Sequence, residues 1–377
     1  MMKTYIRMLC AAVAALTLLC SGAAHAQIRI GQTSALTGPA SAAVNEINIG
    51  AKLYLNWVNA DGGINGQAIE LVSLDDTNKA PAAAENAAQL IADQRVVALF
   101  LSRGTPQTQA ILPHLAQGKI VLIAPSTGAM ALHNPVNPWV FNVRASYQRE
   151  AEAVVRHMGL TGLDKLAVLY VNDSFGEDAI QGAMKVFKEA NVTPAMVQAV
   201  EREKPNYAAL MPKLTELKPL GVLIIGSPTS VTAGIHAMRQ AGLRATVATL
   251  SNNAAGGFVT GLGPDPGSVI VSQVFPSERR LAVPMIAEAS RLAAAQKVAH
   301  LTPAMIEGYA AAKVLVAGLR RAEKESKVIT RLSLKRALES LDRFDIGGLE
   351  ISYSPTDHTG LDFADLSMIG ADGTFRR

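Results

Sequence analysis

The sequence predicts an α/β fold of two Rossmann-like lobes, each a mostly parallel sheet flanked by helices. Three observations predict it. Short apolar β-type runs alternate with helical patterns from Gln27 onward, the alternation restarts after Tyr147, and the C-terminal part carries helices with no strands between them. Strands this apolar, separated by amphipathic helices, imply parallel sheets covered on both faces.

In the first array Ile28–Gly31 reads as a strand. Asn45–Asn59 reads as a helix, with Ile47, Ala51, Leu55 and Val58 at helical spacing. Gly62-Gly63 stops that helix, and Asn65-Gly66 turns the chain into the strand Ala68–Leu74. The helix Pro81–Asp93 follows, with proline suited to its first turn. Val96–Leu101 is a strand, Thr105–Gln117 a helix and Ile120–Ala124 a strand.

The second array runs helix Glu150–Met158, strand Leu166–Val171, helix Glu177–Glu189 and strand Met196–Val200. Helix Tyr207–Leu217, strand Val222–Gly226, helix Val231–Ala241 and strands Val247–Leu250 and Val269–Gln273 complete it. The remaining helices, Pro284–Gln296, Thr302–Arg321 and Arg331–Leu341, cannot cover a sheet of their own. They are expected to return to the first lobe, ahead of β-type pieces at Leu349–Ser352 and Leu366–Ile369. The chain must then cross between lobes more than once, near Asn142–Ser146, Val274–Ser277 and Gly348–Tyr353. Several linking strands make a hinge rather than a loose linker. The expected division is 27–143 plus 275–349 for lobe 1 and 144–274 plus 350–377 for lobe 2.

The N-terminus sets the compartment. Lys3 and Arg7 precede an apolar run from Met8 to Leu19, and Ala24-His25-Ala26 supplies the small residues of a cleavage site before Gln27. The expected product is a periplasmic protein cut after Ala26. Cys20 raises a lipoprotein alternative, but Leu19 stands where a small residue is required. Cys10 and Cys20 are the only cysteines, so the mature chain has no disulfide and relies on core burial. Roughly 350 residues suffice for two cores. The formal charge of +4 falls to about +2 on cleavage, and no basic stretch interleaves with aromatics, which argues against nucleic acid.

Catalytic and metal patterns are missing. There is no G-x-S-x-G, no Walker loop and no H-E-x-x-H, so no enzyme and no cofactor is expected. Gly261-Leu262-Gly263-Pro264 reads as a surface turn, since no helix opens there. The seven histidines have no metal-ligand spacing, and His358 reads as a turn residue before the last strands. Asp75-Asp76 fits capping and turn roles better than acid–base work.

Small polar residues do collect at the C-terminal ends of the strands, where ligands of open α/β sheets bind. In the first lobe these are Ser102-Arg103-Gly104-Thr105 and Ser126-Thr127-Gly128. Thr105 opens a helix whose N–H groups can receive a carboxylate. In the second lobe they are Asp173-Ser174-Phe175-Gly176, Ser227 and Ser251-Asn252. Ordinary N-capping explains any one of them; their coincidence in both lobes favours a cleft. Arg144 and Tyr147 stand at the first crossing. A carboxylate clamp and a structural ion pair with Glu150 both remain open for Arg144.

The chain from Ile28 to about Phe375 resembles the leucine/isoleucine/valine-binding family of periplasmic receptors that serve ABC importers. The matching stretches are Ser34-Ala35-Leu36-Thr37-Gly38-Pro39, Asn59-Ala60-Asp61-Gly62-Gly63-Ile64-Asn65-Gly66, Asp75-Asp76-Thr77 and Ile123-Ala124-Pro125-Ser126-Thr127. Phe175-Gly176, Arg239-Gln240-Ala241-Gly242-Leu243 and Glu307-Gly308-Tyr309 continue them in order. The resemblance implies a type I periplasmic-binding fold with three hinge strands that closes on its ligand. It implies that Thr105 grips a ligand carboxylate with Ser126, Thr127 and Gly128, and that Phe175 closes over the ligand. Two departures stand out. Ala43 replaces the family's first-loop tyrosine, and the acid for an amino-acid ammonium falls near the uncharged Ser251-Asn252. The expected function is a monomeric receptor passing an amino-acid-like, carboxylate or amide ligand to an ABC permease. A sensor of the same fold is the alternative.

Overall fold

The computed structural model describes residues 27–263 and 269–376. The expected export segment 1–26, with both cysteines and the Ala24-His25-Ala26 site, lies outside the described residues, as does Pro264.

The first sheet is built from Ile28–Ser34 (β1), Ile69–Asp75 (β2), Val96–Phe100 (β3), Val121–Ile123 (β4) and Val140–Phe141 (β5). All its pairings are parallel, in the order β2-β1-β3-β4-β5. The strands β3 and β4 read Val-Val-Ala-Leu-Phe and Val-Leu-Ile and are buried almost throughout, as parallel strands covered on both faces must be. The covering helices of this array are Ser41–Ala60 (α1), Ala80–Ala92 (α2) and Thr105–Gly118 (α3).

After Tyr147–Leu160 (α4) comes the second sheet. It contains Leu166–Val171 (β6), Met196–Val200 (β7), Gly221–Ile225 (β8), Thr246–Thr249 (β9) and Val269–Gln273 (β10), with helices Ser174–Glu189 (α5), Met211–Leu217 (α6), Pro228–Gln240 (α7) and Gly256–Leu262 (α8) between them. Side-chain caps start three of these helices. Ser146 accepts from the Arg149 N–H, Asp173 from Phe175 and Gly176, and Ser227 from Ser230.

Three helices follow: Pro284–Ala295 (α9), Pro303–Ser326 (α10) and Arg331–Glu339 (α11). They return to the first lobe, where Met285, Ile306, Tyr309 and Leu334 join the core that holds Ile30 and Phe100. The backbones of α1 and α10 touch. A Cβ added to Gly308 would lie 1.8 Å from the Ile47 carbonyl oxygen, and one added to Gly50 would lie 1.8 Å from that of Met305. A short hairpin of Phe344–Asp345 (β11) and Glu350–Ile351 (β12) follows. Asp365–Ile369 (β13), antiparallel to β10, and Phe375–Arg376 (β14), antiparallel to β13, then extend the second sheet.

The chain passes between the lobes after β5, after β10 and before β13. The third passage lies later than the sequence reading placed it. Ile351, Tyr353 and Leu361 belong to the first core, and Leu366 is the first residue packed on the second. The segment 350–361 is therefore first-lobe structure. It stays there because it runs beside the first passage. The Asn142 N–H donates to the His358 carbonyl at 3.0 Å and the Leu361 N–H to the Val143 carbonyl at 3.1 Å.

Two smaller differences have local causes. Tyr207–Leu217 is a 3-10 turn at Ala208–Leu210 leading into α6, whose first turn holds Pro212, a residue preorganised to open a helix. Gly261 and Leu262 are not a bare surface turn: they are the last two residues of helix α8. Gly263, at φ +81°, a backbone state that favours glycine, ends it.

Candidate functional site

In both sheets the order leaves a switch point. The chain leaves β1 toward β2 and returns to β3 on the other side, and β6 is likewise flanked by β7 and β8. Such points leave a crevice beyond the carboxyl ends of the strands. Residues from the two crevices line one small cavity, of ≈ 50 Å³, between the lobes.

Backbone conformation shapes the first-lobe wall. Leu101 after β3 and Ala124 after β4 both sit at φ +52°, an uncommon state for residues with a Cβ. These turns bring the following loops side by side, so that the Ser126 N–H donates to the Ser102 carbonyl at 2.7 Å and Arg103 bridges to Ser126. Gly104, at φ +90°, then opens α3, and Thr105 in its first turn lines the cavity. Asn78, at φ +63° after β2, completes this wall, and Gln107 Nε2 donates to its backbone carbonyl at 2.6 Å.

The second-lobe wall is made by Tyr147, Phe175, Arg202, Ser227, Pro228 and Asn252. Tyr147 and Phe175 meet edge to face with ring centroids 4.7 Å apart. Arg202 pairs with the cap residue Asp173 and lies over the Phe175 ring. The N-termini of α5 and α7 reach this wall and that of α3 the opposite one, which biases the space toward negative charge. Arg103 bridges the lobes, Nη2 donating to the Asn252 carbonyl at 2.9 Å. Burial lowers its pKa, and the fields of Tyr147 and Glu307 act against that. Among the described residues the lining holds two arginines and no carboxylate. Ser126 Oγ and Asn252 Oδ1 are buried there without a hydrogen-bond partner.

Of the residues singled out from sequence, Thr105, Ser126, Tyr147, Phe175, Ser227 and Asn252 line the cavity. The others stand behind it. Thr127 Oγ1 is 2.8 Å from Thr105 Oγ1, and Ser102 Oγ is 3.0 Å from Thr108 Oγ1. Gly128 is a close-approach residue. Its carbonyl accepts from the Tyr147 N–H at 2.7 Å, and an added Cβ would lie 2.6 Å from the Ala145 carbonyl oxygen. Arg144 is the structural ion pair rather than a ligand clamp. It pairs with Glu150, donates to Ser251 Oγ at 2.8 Å and has Glu307 at 3.6 Å. Burial alone would lower the Arg144 pKa; Glu150, Tyr147 and Glu307 together outweigh it and raise it. Ser251 is used up in the same network, its N–H donating to Glu150 Oε2 at 2.8 Å.

Asp75 and Asp76 do turn work. Asp75 accepts from the backbone of Leu36 and Thr77, and Asp76 from that of Asn78. His358 is buried at the hinge, stacked on Phe141 with Nδ1 2.9 Å from the Val140 carbonyl, so it is a packed hinge residue rather than a free turn residue. Among the described residues no group of His, Cys, Asp and Glu could hold a metal, and no helix is long and apolar enough to cross a membrane.

Among the lining residues that sequence reasoning does not place in the site, three carry polar side chains: Arg103, Asn78 and Arg202. Arg103 lies in the stretch Ser102-Arg103-Gly104-Thr105, where the hydroxyls of Ser102 and Thr105 carry the plainer signal. Asn78 carried a signal in its turn-forming pair with Thr77. Arg202 had no local signal, because only the tertiary pairing with Asp173 brings it to the cleft.

Two covered α/β lobes, three chain passages between them and a cavity lined from both sides define a two-lobed binding protein. The chain belongs to the periplasmic binding protein family, whose model matches residues 27–371. It is 24% identical over 228 residues to Leu/Ile/Val-binding protein homolog 3 of Brucella melitensis, covering 58% of this chain and 59% of that protein, under two thirds of its length. It is 25% identical over 280 residues to Leu/Ile/Val-binding protein homolog 2 of Brucella abortus, covering 68% and 71%. A substrate-binding periplasmic protein from Ralstonia solanacearum superposes with a TM-score of 0.84 at 27% identity, covering 93% of this chain and 99% of that one. The fold is the type I periplasmic-binding fold.

Proposed function

We propose that this protein is the receptor of an ABC importer and that it captures a small organic carboxylate, or its amide, between the lobes. The observation that carries the reading is the cavity lining: Arg103 and Arg202, hydroxyls and helix N-termini, with no acid among them. Charge-assisted bonds from a guanidinium suit a carboxylate. An α-ammonium buried in the same space finds no carboxylate among the described lining residues; Asp173 is paired with Arg202 and Glu307 stands beside Arg144. An unpaired buried charge is costly. This ligand class therefore departs from the branched-chain amino acids in the relatives' names. Those names support the broader transport role.

The receptor works by hinge closure. Ligand contacts from both lobes stabilise the form in which Arg103 meets Asn252, and that form docks on the permease. The protein acts in the periplasm as a monomer, exported by residues 1–26 and cut after Ala26. Mass spectrometry of the periplasmic form, expected to begin at Gln27, checks the cleavage. A thermal-shift screen of that form against amino acids, carboxylates and amides tests the function. A ligand at a hundredfold excess over its Kd stabilises by about 2.7 kcal/mol. A shift confined to carboxylates and amides is the expected result, and a shift confined to amino acids would overturn the ligand class.

A further inference from the structure

The polar cavity is too small to take a whole metabolite. At ≈ 50 Å³ it has room for a few water molecules, far below the roughly 300 Å³ at which small-molecule pockets begin. A carboxylate head fits there, and the rest of a ligand needs another place.

A second chamber, of ≈ 320 Å³, adjoins it at Pro228, which lines both. Pro39, Ala42 and Ala43 form its first-lobe wall, and Pro228, Ala255 and Phe258 much of the other. The polar side chains on it are Thr229, Thr232 and His236, and His236 is engaged by the Leu262 carbonyl, 3.2 Å from Nε2. Among the described residues no carboxylate, Lys or Arg lines it. Small residues keep it open. Ala43 brings one methyl group where a bulky side chain would fill the space. The lobes touch nearby, since a Cβ on Gly257 would lie 2.7 Å from that of Ala42, and the Gly256 N–H donates to Glu46 Oε1 at 2.9 Å.

We propose that the ligand is an amphiphilic carboxylate whose head sits between Arg103 and the helix N-termini and whose apolar tail fills the Ala43–Phe258 chamber. This rests on the reading of the cleft as a carboxylate site. Both chambers are lined from both lobes, so head and tail each favour the closed form. Tail binding displaces water from an alanine-, proline- and phenylalanine-lined space, and each buried methylene strengthens binding by about three- to fourfold.

The test is calorimetric titration of the protein with straight-chain carboxylates from acetate to octanoate. Affinity is expected to climb by about that factor per methylene and then level off when the chamber is full. In Ala42→Phe and Ala233→Phe, two variants at exposed positions on opposite walls, the climb is expected to stop at a shorter chain. Equal affinity for every chain length would overturn the tail chamber and leave the carboxylate site standing. So would an undiminished climb in both variants. Failure of every carboxylate to bind would overturn the carboxylate site, and the tail proposal with it.

Discussion

Arg103, at the end of the third strand of the first lobe, reaches across the cleft and donates from Nη2 to the Asn252 carbonyl at 2.9 Å. One side chain thus lines the candidate ligand cavity and joins the two lobes. On the proposed function, ligand grip and closure are coupled through it: ligand bound beside Arg103 would stabilise the form in which Arg103 meets Asn252.

Arg103→Ala is therefore expected to weaken carboxylate binding by roughly 10- to 150-fold, the range for a hydrogen bond to a charged group. Arg103→Lys should recover part of the loss, because it restores the charge but not the planar fork. Calorimetry checks both. Unchanged affinity in Arg103→Ala would remove Arg103 from the site.

The ion pair of Arg144 and Glu150 is buried, with 2% and 0% of the side chains exposed. Glu150 also accepts from Ser272 Oγ and the Ser251 N–H. Glu150→Gln leaves the Arg144 charge in the interior without its nearest partner and is expected to destabilise by roughly 3–5 kcal/mol. The double variant Arg144→Met/Glu150→Leu should cost less than the two single changes added together, because it removes both charges. Urea denaturation measures this. Strict additivity would show that the pair is not coupled.

Asp76 is 1% exposed, and burial raises its pKa to about 6. The native state therefore holds this proton over a range where the unfolded chain has released it. Its contribution to stability is greatest below about pH 4 and is lost as pH rises through 6. Asp76→Asn keeps an acceptor for the Asn78 N–H, and its amide can donate to Thr33. It is expected to gain on the order of 1–2 kcal/mol at pH 8 and little at pH 4. Thermal melts of both proteins across that range check the sign. An equal difference at every pH would contradict it.

Much of this architecture is legible in the residues. Leu166–Val171 and Val269–Gln273 are runs whose limits match the strands, because buried strands carry their signal in nearly every residue; Met196–Val200 also matches its strand, although it lies half-exposed at the sheet edge. The two-residue strand Val140–Phe141 is too short to show a period, and the helix Gly256–Leu262 opens on two glycines that weaken its signal. The third passage was misplaced because its position depends on Asn142 and Val143 pairing with His358 and Leu361, more than two hundred residues away. In the site, strand ends pointed to Thr105, Ser126 and Ser227, since position along a strand is local information. Arg144 stayed ambiguous for the opposite reason. Whether a guanidinium meets a ligand or an acid depends on which helix packs above it, and here that helix presents Glu150.

The central claim is that the cleft accepts a carboxylate and has no partner for an ammonium. Parallel calorimetric titrations with leucine and with isocaproate, the same skeleton without the amino group, test it most directly. Isocaproate is expected to bind at least about a hundredfold more tightly, since a buried unpaired charge costs several kcal/mol. Leucine binding as tightly as isocaproate, or more tightly, would contradict the account.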